Sequence, residues 1–586
     1  MIVCNKARLG IFAAVASQVV TGRAIGSLLS RQSSNISWFA CPDSGTVQCA
    51  FFDVPRDYSN PSENDTVSIF MRKLPANVSD EEKLGTIITN PGGPGGSGNT
   101  FVLDATGEML QAISGGRHDL IGFDPRGVNL TGPWPSCFDQ EAKAIMVDFK
   151  RAMIGLPYPH SSFEVDRAIV DKISAIEAGV NAACVKNGNR EMLESVGTAF
   201  VVQDIIRISE ALGEDGVNFW GFSYGTILGA TLAAMRPDVV KRMVLDGVSN
   251  ADSYYNDVWQ WGKDGMEGLL STCAEAGPEL CAFAKPPKGS DSKQTAESLR
   301  KRLDAILNRL GDQPLVVADS ATGPGIVTAA DLQTLLLAEL YHPNQWPKLM
   351  EQLTILEQGD GEALYRYSYD LLANLTYVPY DQNVFNRSMQ RYSFQESLRM
   401  ILCSDAAPTN TSVDAHTKYF REIGKISPVG ESWASLLGFC NGWSFRAKQR
   451  YTGPWTSEKG LKKTRSPILF LSLDADPVTP LSSAIKMSEG FGKDSASLLV
   501  QQGFGHCTIS HPSLCTYKHV RDYFVNGTVP ANGTHCTAEP GFIYPTNKTN
   551  SKRAVPSSDK YDKKLLEVVE KQKRGERLIK PITLRI

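Results

Sequence analysis

Short apolar runs that stop in glycine-rich turns recur along this chain, and the stretches between them carry helical periodicity. From Ser37 to about Arg72, alternating runs such as Thr46 to Val54 and Thr66 to Met71 are bounded by Pro, Asn and Asp, which predicts an antiparallel opening to a sheet. Leu84 to Thr89 is an apolar, β-branched run that ends in Asn90-Pro91-Gly92-Gly93-Pro94-Gly95-Gly96-Ser97-Gly98, a composition through which no helix or strand continues. His118 to Gly127 repeats the design, a buried strand ending in a turn. Phe138 to Gly213 reads as mostly helical, and further apolar runs follow at Val217 to Phe222 and Val239 to Gly247. Short buried strands alternating with helices predict an α/β fold, a mostly parallel sheet covered by helices on both faces.

Beyond Val248 the texture becomes mainly helical, as in Ala296 to Leu310, Asp331 to Leu340 and Gln352 to Leu372. Strand character returns at Pro467 to Leu473 and Ala496 to Gln501. The sheet therefore falls in two parts, residues 25–250 and 456–545, with 251–455 inserted between them as a mainly helical cap over it. Residues 546–586 are rich in Lys and Glu around Leu565, Leu566, Val568 and Val569, which predicts a charged, solvated C-terminal tail with one helix. At the other end, Lys6 and Arg8 precede the apolar stretch Leu9 to Val20, with small residues from Gly22 to Ala24. This pattern predicts a signal peptide over 1–24, too short to span a bilayer comfortably; a signal anchor is the alternative.

Composition narrows the function classes. The 586 residues carry a net charge of -3, which implies no dominant basic face and no nucleic-acid partner. No later segment offers a long uncharged span, so no membrane association is expected after signal cleavage. Ten Asn-x-Ser/Thr sequons, at Asn35, Asn64, Asn77, Asn129, Asn374, Asn386, Asn410, Asn526, Asn532 and Asn547, predict a secreted, extracellular, N-glycosylated protein. The twelve cysteines form no paired CxxC clusters, so disulfides rather than zinc are expected. Losing Cys4 with the signal leaves an odd number, hence one unpaired thiol or a bond to another chain. No metal or organic cofactor is implied, and oligomeric state is not readable.

The chemistry centres on Gly221-Phe222-Ser223-Tyr224-Gly225, where an apolar run meets Gly-x-Ser-x-Gly and turns into small, helix-compatible residues. A nucleophile elbow needs that context, with glycines removing the side chains that would collide at a strained strand-to-helix turn. The alternative is a glycine-rich turn whose serine caps the helix, and five residues do not separate the two. A serine hydroxyl also needs a base, and the base an orienting acid. Asp474 and Asp476 follow one predicted strand and His506 the next, giving the order Ser, Asp, His at strand ends.

Together, Asn90 to Gly98, Asp124-Pro125-Arg126-Gly127, Gly221 to Thr226, Asp476-Pro477-Val478-Thr479-Pro480 and Gly505-His506 resemble the secreted tripeptidyl aminopeptidase-like branch of the α/β-hydrolases, related to prolyl aminopeptidases. The similarity runs from about Ser37 to Cys515 and is weakest in the cap. It implies Ser223 as nucleophile and His506 as base, as the motifs do, and selects Asp476 over Asp474 through the Asp-Pro-x-Thr-Pro pattern. It also implies an oxyanion hole from the backbone N–H groups of Gly93 and Tyr224. Asp124 and Arg126 are expected to hold loops. Cys507, beside the base, lacks a base of its own and is expected to be the unpaired or a structural cysteine. Plausible bridges are Cys41 with Cys49, Cys137 with Cys184, Cys273 with Cys281, Cys403 with Cys440, and Cys515 with Cys536, although sequence does not fix connectivity.

The leading expectation is a secreted serine aminopeptidase that releases residues or short peptides from a free N-terminus through an acyl-enzyme. A carboxylesterase or lactone hydrolase acting on a small ester with the same triad is the alternative, because fold does not fix substrate. An inactive hydrolase-like binding protein is the reading from another class.

Overall fold

The computed structural model describes residues 36–574 apart from 139–140, 158–164, 257–263, 288, 290–291, 321–322, 367–393, 409–411, 428, 438–439, 441 and 546–559. The expected signal peptide and the sequons at Asn35, Asn374, Asn386, Asn410 and Asn547 lie outside the described residues.

Among the described residues twelve strands form: β1 (Phe39–Ala40), β2 (Gln48–Pro55), β3 (Thr66–Leu74), β4 (Thr86–Asn90), β5 (Asp119–Phe123), β6 (Val217–Phe222), β7 (Val240–Asp246), β8 (Leu315–Val317), β9 (Gly325–Val327), β10 (Ile468–Ala475), β11 (Ala496–Phe504) and β12 (Thr534–Thr537). Ten of them make one sheet in the order β1-β2-β3-β5-β4-β6-β7-β10-β11-β12. The β1-β2, β2-β3 and β3-β5 pairs are antiparallel, and every pair from β5-β4 to β11-β12 is parallel. The expected antiparallel opening and parallel centre are thus both present. All residues of β4 and β6 are buried, as strands covered on both faces must be, whereas β2 near the edge keeps exposed positions.

Helices α1 (Asp104–Ile113), α2 (Thr198–Ala211) and α3 (Tyr224–Met235) connect the parallel strands. Between β7 and β10 the chain leaves the sheet. There α4 (Ala296–Asp312) buries Leu299, Leu303, Ile306, Leu307 and Leu310 at helical spacing, behind a Thr295 N-cap that accepts the N–H of Ser298. α4 shares an apolar core with α5 (Ala329–Leu340) and α6 (Trp346–Glu357). The helix expected over Gln352 to Leu372 is broken: α6 stops before Gly359, whose φ of 93° suits glycine, and only one turn, Glu362–Tyr365, follows within the described residues. The short β8-β9 hairpin within this segment was not anticipated, because three-residue runs fall below any periodicity signal. α7 (Phe394–Asp405) sends Met400, Ile401 and Leu402 into the core of the sheet domain instead.

After the sheet resumes come α8 (Leu514–Asn526) and α9 (Lys560–Lys573). The latter is the helix expected in the C-terminal tail, but it is not solvated all round. Leu565, Val568 and Val569 are buried in one cluster with α1 and α8 residues, and Gln572 donates to Ile509 O at 3.0 Å. An amphipathic stripe in a charged segment had a partner face waiting for it.

All five expected disulfides form, Cys41–Cys49, Cys137–Cys184, Cys273–Cys281, Cys403–Cys440 and Cys515–Cys536. Among the described residues Cys507 is the free cysteine, and it is buried. No helix of the described residues is long and apolar enough to cross a membrane.

Candidate active site

The three candidate residues Ser223, Asp476 and His506 follow the ends of β6, β10 and β11. Ser223 follows β6 directly and stands in a left-handed conformation, φ 56° and ψ -123°, before α3 begins at Tyr224. For a residue with a Cβ this backbone is strained, and it is held by the Ser223 N–H bonding to Asp246 O at 3.0 Å. A Cβ on Gly221 would collide with Gly225 O, so the turn tolerates no side chain there.

Asp476 follows β10 and is buried; His506 follows β11. His506 Nδ1 lies 3.0 Å from Asp476 Oδ2 and 3.1 Å from Oδ1, and Thr479 Oγ1 stands 3.4 Å from the same nitrogen. The N–H groups of Val478 and Thr479 donate to Asp476 Oδ1 at 2.8 Å, and that of Cys507 donates to Oδ2 at 2.9 Å. Burial works against ionising this carboxyl, but the charge and hydrogen bond of His506, with the backbone N–H groups, outweigh it and hold its pKa below the ordinary range. Asp474 instead accepts the N–H of Gly503 at 2.9 Å, away from the imidazole.

No hydrogen bond joins the Ser223 hydroxyl to His506 or to any other described residue. The serine faces a cavity lined by Gly93, Tyr224, Tyr254, Trp433 and Val478 among others. Thr479 lines it too, so the cavity reaches the side chain that touches His506.

The glycine-rich loop lies on the elbow. A Cβ on Gly92 would stand 2.5 Å from Phe222 O and 2.8 Å from Ser223 Cβ. Asp124, fully buried, fastens this loop from behind, accepting from Ser97 Oγ at 2.6 Å, from Asn99 Nδ2 and from the Leu130 N–H at 3.1 Å. Burial pushes its pKa up to about 6, with these donors pulling the other way. Arg126 makes a buried ion pair with Asp204. Both residues therefore hold loops, as expected. Asn129, one of the sequons, donates to Ser97 Oγ at 3.3 Å in the same network, whereas Asn64, Asn77, Asn526 and Asn532 are exposed.

One neighbour of His506 was not foreseen. Tyr341, just after α5, sets its ring edge-on to the imidazole at 4.8 Å between centroids, and its carbonyl accepts the His506 N–H at 3.4 Å. No local motif marks it, since its partner lies far along the chain. Cys507, expected beside the base as the unpaired or a structural cysteine, is free and buried, and its thiol donates to Asp246 O at 3.4 Å. Burial, then the nearby Asp246 and Asp476, push its pKa well up, so it is no thiolate nucleophile.

Among the described residues two groups hold donor atoms that all lie within 4.8 Å of one another, Asp476, His506 and Cys507 in one and Cys515, His519 and Cys536 in the other. In the first, carboxylate and thiol are engaged by protein groups; in the second, both sulfurs are in a disulfide. Neither set fits a resident metal as it stands.

Against known families, residues 85–276 match the model described as "alpha/beta hydrolase fold" and residues 426–536 the model described as "TAP-like protein". The chain has the α/β-hydrolase fold, with a TAP-like segment over residues 426–536. This hydrolase is 26% identical over 522 residues to Serine protease Hip1 of Mycobacterium tuberculosis, covering 86% of the chain and 91% of the relative. It is 26% identical over 496 residues to the tripeptidyl aminopeptidase of Streptomyces lividans, covering 84% and 83%. Carboxylesterase B of M. tuberculosis is also 26% identical, over 505 residues, covering 84% of the hydrolase and 86% of the relative.

Proposed function

We propose that this hydrolase is a serine aminopeptidase in which Ser223 is the nucleophile, His506 the general base and Asp476 its orienter. The observation that carries the reading is the Asp476–His506 pair at the end of the sheet where Ser223 occupies a strained elbow over a cavity. The Asp476 carboxylate keeps the proton of the neutral imidazole on Nδ1, leaving Nε2 to take the serine proton. Ser223 Oγ attacks the scissile carbonyl carbon, and the developing oxyanion meets the N–H groups of Gly93 and Tyr224. Tyr224 opens α3, so its N–H has no acceptor within the helix and is available. Collapse expels the amine, protonated by His506, and leaves an acyl-serine that water, activated by the same imidazole, hydrolyses.

Residues 251–455 act as a cap in this reading: Trp433 lines the cavity and Tyr341 packs on the base, which limits access to chain ends. The relatives' names, serine protease and tripeptidyl aminopeptidase, favour peptides; the name carboxylesterase favours the second reading, a small-ester hydrolase. Secretion and N-glycosylation belong to the proposal, supported by five disulfides and the exposed sequons. Turnover of tripeptidyl amides with a free N-terminus, of the same amides N-acetylated, and of p-nitrophenyl esters separates the readings. Cleavage of the free amides and not of the acetylated ones is expected; turnover of esters alone refutes the peptidase.

A further inference from the structure

We infer that Asp246 is a positioning residue that braces the loop bearing the base against the nucleophile elbow; the inference rests on the Ser223, Asp476 and His506 assignment above. Asp246 ends β7, which lies between the strand carrying Ser223 and the strand carrying Asp476. Its main-chain oxygen accepts the N–H of Ser223 at 3.0 Å and the thiol of Cys507 at 3.4 Å. Its carboxylate accepts the N–H of Thr508 on Oδ1 and the Thr508 hydroxyl on Oδ2, both at 2.7 Å. One residue is thus bonded to the proposed nucleophile and to the two residues that follow the proposed base.

The side chain is fully buried, where an unpaired carboxylate would be costly, and the two bonds from Thr508 are what satisfy it. Residues 506–508 are held in consecutive grips: His506 Nδ1 and Cys507 N–H by Asp476, Thr508 by Asp246. Between those grips Cys507 keeps a φ of 65°, a conformation that a residue with a side chain holds only when its surroundings impose it. Gly247 admits the Cys507 sulfur so closely that a Cβ there would collide with it.

Asp476 sets how the imidazole is turned, and the brace sets where its loop stands relative to Ser223. Reacting groups misplaced by about 1 Å lose on the order of 100-fold in rate. Neither Asp246 nor Thr508 lines the cavity, so loosening the brace should slow the chemical step without weakening binding.

The test is the reaction of the full-length enzyme with a fluorophosphonate, in which Ser223 Oγ displaces fluoride from phosphorus and His506 takes the serine proton. Asp246→Asn and Thr508→Val should each lower the maximal labelling rate by about 10- to 100-fold, with the half-saturating concentration within about twofold. Thr508→Ser, which keeps the hydroxyl, should restore the rate toward that of the wild type. If Asp246→Asn fails to fold, the Thr508 pair decides alone. Labelling by Thr508→Val at the wild-type rate, or equal loss in Thr508→Val and Thr508→Ser, overturns the brace while leaving the Ser223 assignment intact. A wild-type enzyme that does not label overturns that assignment, and the brace with it.

Discussion

His506 Nδ1 and Asp476 Oδ2 stand 3.0 Å apart, and the three other groups bonded to that carboxylate are backbone N–H donors. Asp476 is surrounded by donors alone, so it can only be an acceptor and only an Nδ1–H tautomer suits it. Asp476→Asn presents an amide N–H to the ring and favours the wrong tautomer. We expect kcat to fall by about 10⁴ with the fold intact, measured on whichever amide or ester the wild type turns over. A loss below tenfold contradicts the orienting role.

Gly92 gives a second prediction. Its φ of 99° and the 2.5 Å approach to Phe222 O leave no room for a methyl group, so Gly92→Ala must push the loop carrying Gly93 away from the elbow. Losing one oxyanion donor costs about 10²- to 10³-fold in kcat, and a loss in that range is expected with an unchanged circular dichroism spectrum. Unchanged kcat would mean that Gly93 does not serve the oxyanion.

The parts of this arrangement that were legible beforehand share one property, in that the signal is local. Gly221 to Gly225 reads as a tight strand-to-helix turn, elbow or cap, because five adjacent residues must solve one steric problem. The disulfides join each cysteine to its next partner along the chain, where loop closure costs least entropy. Tyr341 and Asp246 carry no such mark. Tyr341 meets His506 only because the helical segment folds back over the sheet, and Asp246 looks like any strand-end carboxylate until Thr508 arrives beside it. The stripe of α9 was visible, but nothing in its sequence named α1 and α8 as the surface that covers it.

Asp124 predicts a pH dependence of stability. Burial raises its folded-state pKa from 3.8 to about 6, so the folded chain holds this proton more tightly than the unfolded chain. That contribution is fully present below the unfolded value and is lost as pH rises through about 6. Relative to Asp124→Asn, the wild type should therefore lose up to about 3 kcal/mol of unfolding free energy between pH 4 and pH 8, read from denaturant titrations. A stability difference that does not vary with pH contradicts it.

Cys507 predicts a chemical one. Its thiol is buried, bonded to Asp246 O and raised in pKa, so iodoacetamide at pH 8 should leave it unmodified in the native enzyme and alkylate it after denaturation. Peptide mapping reads the result directly. Rapid native alkylation would show that the base loop opens far more readily than its bonds imply.

The measurement closest to the centre of this account is the site and consequence of fluorophosphonate attachment. Intact-mass analysis should show one adduct per chain, peptide mapping should place it on Ser223, and modification should abolish turnover in proportion to labelling. Ser223→Ala should take no adduct and turn over nothing while unfolding at the wild-type temperature. An adduct on another residue, or an active Ser223→Ala enzyme, would contradict the assignment of Ser223 as nucleophile.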